Sequence, residues 1–299
     1  MYPLLFIGIT ILWGTSFLLM KKTLLVFEPV TVAAVRMVFG SVTLSILWYW
    51  RGTRWPFTAR DWPRLVLMAL VAYIVPFVVQ PTVIQLVERY ANHGSAFGAM
   101  MVSFVPLLTI IVSLPMLGIR PSARQLLGVL GGMVCIGWLY RNEVSMNVPW
   151  WCLALGSITP LCYALGNTYI KRRWSDKPVT VMIATFLAIS ALPTTPYALA
   201  VEEITINESF IMACVCLVTL GVVNTGLSSY MFFKIVQDRG PLYAGMTAYT
   251  IPCTAIVLAW LDGEVIRVGQ LVPIAGVLAM VALVQAPVLK TQAGRPHAR

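Results

Sequence analysis

The stretch V-T-V-A-A-V-R-M-V-F-G-S-V-T-L-S-I-L-W-Y-W, residues 30–50, decides the fold. Arg36 is its one charge, and an α-helix needs about 20 predominantly apolar residues to cross roughly 30 Å of hydrocarbon. Apolar residues fall on all faces of the run, without the period-2 alternation of a membrane barrel strand, so the stretch reads as a transmembrane helix. The same reading gives ten spans along the chain, near 3–20, 30–50, 62–86, 92–117, 123–140, 149–170, 178–200, 209–236, 241–261 and 267–289.

Composition points the same way. Of 299 residues 59% are hydrophobic and 11% charged, whereas an average soluble domain is about 25% charged. A water-soluble fold of this length has no means of hiding so much apolar surface, so the predicted class is an all-α, polytopic membrane protein. The first span is expected to be retained, because it lacks a basic leading segment and is followed by Lys21 and Lys22 in place of a small-residue cleavage site. All six cysteines fall within spans without metal-ligand spacing, which predicts buried free thiols; Cys152 and Cys214, near outer ends, are the pair best placed for a disulfide.

The net charge of +10 is a topology signal before it is a nucleic-acid signal. With the N-terminus in the cytoplasm, the inner segments hold Arg51, Arg54, Arg60, Arg64, Arg120, Arg124, Lys171, Arg172, Arg173, Lys177, Lys234, Arg239, Lys290, Arg295 and Arg299. The outer ones hold Lys21, Lys22, Arg89, Arg141 and Arg267. Acids run the other way, with Asp61, Asp176 and Asp238 inside and the other eight outside. Both termini are therefore predicted to face the cytoplasm of a cell with this protein in its inner membrane. Lys21 and Lys22 dissent locally, and the sum over all loops overrules them.

The chain also repeats itself. H-G-S-A-F-G-A-M-M-V-S-F-V-P (93–106) aligns with R-G-P-L-Y-A-G-M-T-A-Y-T-I-P (239–252), pairing Gly94 with Gly240, Met100 with Met246 and Pro106 with Pro252. R-Q-L-L-G-V-L-G-G (124–132) aligns with G-Q-L-V-P-I-A-G-V (269–277), and W-G-T-S-F-L-L-M-K-K (13–22) with Y-A-L-G-N-T-Y-I-K-R (163–172). The predicted repeats are residues 1–145 and 146–299. Each carries five spans, so the second enters the membrane from the opposite side, an inverted arrangement suited to alternating access.

These stretches resemble the drug/metabolite transporter superfamily, and within it the EamA-type permeases. The carriers are W-G-T-S-F (13–17) with Lys21 and Lys22, Pro29 with A-A-V-R (33–36), S-A-F-G-A-M-M-V-S-F-V-P (95–106), L-L-G-V-L-G-G (126–132), L-D-G-E (261–264) and G-Q-L-V-P-I-A-G-V. The resemblance implies a ten-helix carrier, one of a family in which many members export amino acids or other metabolites. One departure is visible: L-G-I (117–119) stands where the family commonly has an acid, which the second half supplies as Glu264.

Arg36 is the first binding candidate. A guanidinium inside a span should face the bundle interior or a wet cavity. There it can bind a carboxylate or phosphate through paired donors, or serve structure by satisfying helix-end carbonyls or pairing with Glu28. Polar and aromatic groups at helix depth form a second set: Trp13, Ser16, Phe17, Tyr163, Asn167, Asn224, Ser228 and Tyr249. They suit an apolar pocket with a few orienting hydrogen bonds, and equally suit helix packing. Pro76, Pro81, Pro106, Pro160, Pro252 and Pro273 fall within spans, and the repeat mates Pro106 and Pro252 are read as gating or kinking positions. Gly131, Gly132 and Gly276 are read as close-packing contacts.

No P-loop, H-E-x-x-H or other zinc pattern occurs, and the two histidines are His93 and His297, so neither cofactor nor metal nor enzymatic activity is expected. Carboxylates are missing from mid-span, Glu88 and Glu264 coming nearest, which leaves no deep acidic proton relay. The expected partners are a small-molecule substrate and membrane lipid, not nucleic acid, for a monomer or weak homo-oligomer. The leading reading is a secondary carrier exporting an amino acid or related metabolite by alternating access. A passive channel or facilitator, a drug or cation efflux carrier, and a membrane-embedded enzyme or assembly factor are the alternatives.

Overall fold

A computed structural model of the chain describes residues 2–91, 94–141, 148–261 and 268–286, with the backbone alone at 91, 255–261 and 268–270. His93, Glu264, Arg267, Lys290, Arg295, His297 and Arg299 lie outside the described residues. The helices run in order α1 (Tyr2–Thr23), α2 (Pro29–Arg51), α3 (Trp62–Ala69), α4 (Val75–Ala91), α5 (Gly94–Val102), α6 (Val105–Leu117) and α7 (Ala123–Tyr140). They continue with α8 (Trp150–Arg173), α9 (Val179–Val201), α10 (Phe210–Thr219), α11 (Ser228–Arg239), α12 (Pro241–Gly245), α13 (Thr247–Leu261) and α14 (Val268–Gln285).

Helix occupies each of the ten predicted stretches, and among the described residues no strand forms beyond one isolated bridge, Phe27 to Ile204. Among the described residues seven helical stretches are long and apolar enough to cross a membrane, including the composite ones Ala59–Tyr90, Gly94–Leu117 and Phe210–Arg239. The 24-residue α8 is long enough but more polar, and its Thr159, Asn167 and Thr168 are buried. The apolar shell is outward-facing: on α1, Leu4, Ile7, Ile11 and Leu18 are exposed at helical spacing while Phe6, Ile9, Phe17 and Met20 are buried. In water such a surface would aggregate; facing acyl chains it needs no cover.

The predicted continuous spans are broken in four places. Wide π turns occupy Leu70–Ile74 between α3 and α4, and Leu220–Leu227 between α10 and α11. The fourth stretch breaks at Ser103 and Phe104, and the ninth at Met246. Pro106 consequently sits in the first turn of α6, where its missing N–H leaves no bond unmade. Pro252 is interior to α13 and cannot bond the carbonyl of Ala248, which instead accepts from Ser103 Oγ at 3.4 Å, across from the α5–α6 break. The L-G-I departure also has a local cause: Gly118 adopts φ 67°, the left-handed conformation that ends α6, with its N–H on the carbonyl of Leu114.

Side-chain contacts sort the helix ends into two groups. At one end Tyr2 donates to Asp238 at 3.0 Å, Arg51 donates to Tyr230 at 2.8 Å, and the rings of Phe57 and Trp174 lie 5.8 Å apart. Lys171 bonds the carbonyl of Gln237 there, bringing α8 and α11 together among the basic loops. At the other end Lys21 pairs with Glu88 at 2.7 Å, and Glu202 accepts from Val30 N, Thr31 N and Thr31 Oγ1, capping α2 from the end of α9. Tyr49, Trp50, Trp55 and Trp62, around the α2–α3 connection, are exposed, as are Tyr90, Trp138, Trp150 and Tyr197 near helix ends of the second group. Exposed aromatics near span ends are what a membrane–water interface favours.

Candidate functional site

Between α1, α2, α4, α8, α11 and α13 the helices part around a cavity of about 80 Å³. From α1 come Trp13, Ser16, Phe17 and Met20, spaced so that one helix face meets the cavity. Arg36 enters from α2, Tyr163 and Asn167 from α8, and Asn224, Ser229, Phe232 and Phe233 from the second π turn and α11. Val102, Val105, Thr247, Ala248 and Ile251 close the wall beside the two helix breaks.

Arg36 is 5% exposed. Its Nε donates to Thr225 Oγ1 at 3.2 Å, one terminal nitrogen reaches the Met20 sulfur at 3.2 Å, and the guanidinium lies over the Phe77 ring at 4.5 Å. Thioether sulfur is a weak acceptor and the ring contact is worth ~0.5–2 kcal/mol, so these contacts hold the fork without neutralising it. The structural alternative for this residue loses its partner, since the Glu28 carboxylate accepts from Gln85 at 3.0 Å and among the described residues Arg36 makes no ion pair. Among the described residues two of about five guanidinium N–H donors find acceptors, leaving the others for whatever fills the cavity.

Trp13, Ser16, Phe17, Arg36, Tyr163, Asn167 and Asn224 all reach the cavity wall. Ser228 stands one step behind it: its hydroxyl accepts from Trp13 Nε1 at 2.9 Å and donates to the carbonyl of Asn224 at 2.5 Å, so it positions the indole. Tyr249 is placed elsewhere, fully buried against Gly132 of α7 with its hydroxyl on the carbonyl of Val129 at 2.7 Å. Its side chain points away from the cavity because α7, not α1, is the neighbour on that face. Asn224 donates to the carbonyl of Leu12, to Thr15 Oγ1 and to Ser16 Oγ, tethering the second π turn to α1.

Tyr73, Phe77 and Gln80 line the cavity without having been singled out in the sequence. They recur at i, i+4 and i+7, and that single-faced spacing of a phenol and an amide within an apolar run is the signal that marks them. Gln80 and Asn167 are buried, and the Tyr73 hydroxyl is buried without a hydrogen-bond partner among the described residues.

These features describe a polytopic helical membrane protein built around an internal cavity whose described wall carries one cation, Arg36, without an ion pair. Residues 1–141 match the EamA-like transporter family. The chain is 18% identical over 260 residues to the uncharacterized transporter YoaV of Bacillus subtilis (strain 168), with 86% of each chain covered. A solved crystal structure of a protein shares the fold with a TM-score of 0.76 at 17% identity, over 95% of this chain and 96% of that one. The first 141 residues are thus similar to the EamA-like transporter family, and the findings together support a membrane transporter.

Proposed function

We propose that the protein is a secondary carrier exporting a small organic metabolite, an amino acid or related carboxylate, across the inner membrane by alternating access. The carrying observation is Arg36, a buried guanidinium that faces the cavity with donors to spare and no carboxylate partner among the described residues. An unpaired cation held at depth is costly, by roughly 2.5–3.5 kcal/mol on insertion scales, and an anionic substrate group would offset that cost. Export is carried over from the family resemblance. A cation efflux carrier would want an acid where this cavity has Arg36. A passive facilitator remains the second reading, favoured by the lack of a coupling carboxylate in the described wall.

The ten spans support two inverted five-helix repeats, 1–145 and 146–299. The π turns fall in the third span of each half, and the helix breaks in the fourth. Packing is reciprocal in the same sense: α2 lies on its mate α9, α7 on its mate α14, and α1 on α13 as α8 lies on α6. Interrupted helices at matching positions of two halves are where transporters place a site and a hinge. Pro106 and Pro252, one starting a segment after a break and the other freeing a carbonyl beside it, fit a hinge role.

Introduced cysteines labelled with a membrane-impermeant maleimide test the arrangement. Arg54→Cys, at an exposed position, should react from the cytoplasmic side only, whereas Ser16→Cys and Asn167→Cys should each react from both sides, and less so when transported solute is added. Labelling of Arg54→Cys from outside would reverse the orientation; Ser16→Cys and Asn167→Cys that react from neither side would contradict a shared, alternately exposed cavity.

A further inference from the structure

The charges and orphaned donors around the cavity narrow the substrate class, a step that rests on the reading of Arg36 as the substrate's counter-ion. Among the described residues the wall holds one cation and no carboxylate. The described acids that make contacts are engaged at helix ends: Glu28 by Gln85, Glu88 by Lys21 and Gly94 N, Glu202 by the start of α2, Asp238 by Tyr2 and Lys234. None is free to swing toward a second cation in the cavity.

The groups near Arg36 are neutral donors and aromatic faces. The Tyr73 hydroxyl has no hydrogen-bond partner among the described residues although Tyr73 is 2% exposed, and Tyr163 stands on the same wall. Both tyrosines line the same cavity as Arg36. Three donors of this kind satisfy a carboxylate, whose two oxygens accept about four hydrogen bonds. Around them Trp13, Phe17 and Phe232 present ring surface, which suits an apolar or aromatic body.

We infer that the solute is a monocarboxylate with an uncharged, apolar or aromatic body, its carboxylate held by Arg36 with the Tyr73 and Tyr163 hydroxyls donating beside it. A zwitterionic amino acid fits less well. Its ammonium sits one carbon from the carboxylate, so it would lie against the guanidinium without an acid to receive it. Tyr73 is the specificity-determining residue this assigns, since its hydroxyl has no other use in the described structure.

Four ligands with one phenyl body and different charge separate the possibilities: 3-phenylpropanoate, phenylalanine, 3-phenylpropanamide and 3-phenylpropylammonium, titrated calorimetrically into the purified full chain in detergent. The expected result is that 3-phenylpropanoate binds at least tenfold more tightly than the other three. Arg36→Gln should remove that preference, and Tyr73→Phe should weaken the propanoate three- to tenfold while leaving the amide unchanged. Tyr73→Phe keeps the ring in place, so the test stands even where Arg36→Gln fails to fold. Phenylalanine binding as tightly as the propanoate, with loss in Arg36→Gln, would overturn the monocarboxylate assignment and leave Arg36 as a carboxylate site. Tightest binding by 3-phenylpropylammonium, or no Arg36-dependent binding by any of the four, would overturn both.

Discussion

Arg36→Ala should lower the kcat/Km for carboxylate solutes by about 100-fold or more. A charge-assisted, forked contact in a water-poor cavity is worth ~3 kcal/mol, and each 1.36 kcal/mol is a factor of about ten. Arg36→Lys keeps the charge and loses the planar fork, so it should raise apparent Km by about tenfold with folding intact. Neutral solutes should be affected little by either change. A purely structural arginine would behave differently: without its contacts to Thr225, Met20 and Phe77 both variants would unfold at lower temperature and lose every solute alike. Transport by purified variants in proteoliposomes, with unfolding temperatures measured in parallel, distinguishes the two. A stable Arg36→Ala protein with unchanged transport would remove Arg36 from the site.

Gly132→Val should be strongly destabilising. A Cβ at Gly132 would lie 2.6 Å from Tyr249 Cε2 and 2.8 Å from Cδ2. That ring cannot swing aside, because it is fully buried and its hydroxyl is fixed to the carbonyl of Val129. Overpacking of this kind costs typically 1–3 kcal/mol, and the valine methyls place the expectation at ~3 kcal/mol. Gly137 is the control on the same helix, with no atom within 4 Å of an added Cβ. Gly137→Ala should gain ~0.5–1 kcal/mol through the reduced freedom of the unfolded chain. Thermal unfolding in detergent reads both, and equal midpoints for the two variants would refute the close approach of α7 and α13.

The sequence made the helices legible because an uncharged run of membrane length has few other structures open to it. It made Arg36 legible for the same reason: a lone charge in such a run must be sheltered. What it hid was direction. Tyr163 and Tyr249 are both phenols at helix depth, yet one faces the cavity and the other faces α7, and in a membrane the lipid side and the packed side accept the same apolar residues. The breaks at Ser103 and Met246 were hidden similarly, since a π turn or a helix interruption changes hydrogen bonding without changing hydropathy. Pro106 marked one break without showing that it begins a new segment. Tyr73, Phe77 and Gln80 carried a one-faced spacing that the strongly apolar background masked.

The central claim is that Arg36 and its neighbours form a site presented in turn to the two sides of the membrane. Its most direct test is uptake of labelled amino acids, organic carboxylates, sugars and cationic drugs into proteoliposomes containing the purified protein, with and without the same unlabelled solute on the far side. A carrier gives saturable flux of a carboxylate-bearing solute that accelerates several-fold when the far side is loaded, because a loaded site returns faster than an unpaired guanidinium in an empty one. Flux that rises linearly with concentration and ignores the far side would contradict alternating access and identify a passive channel.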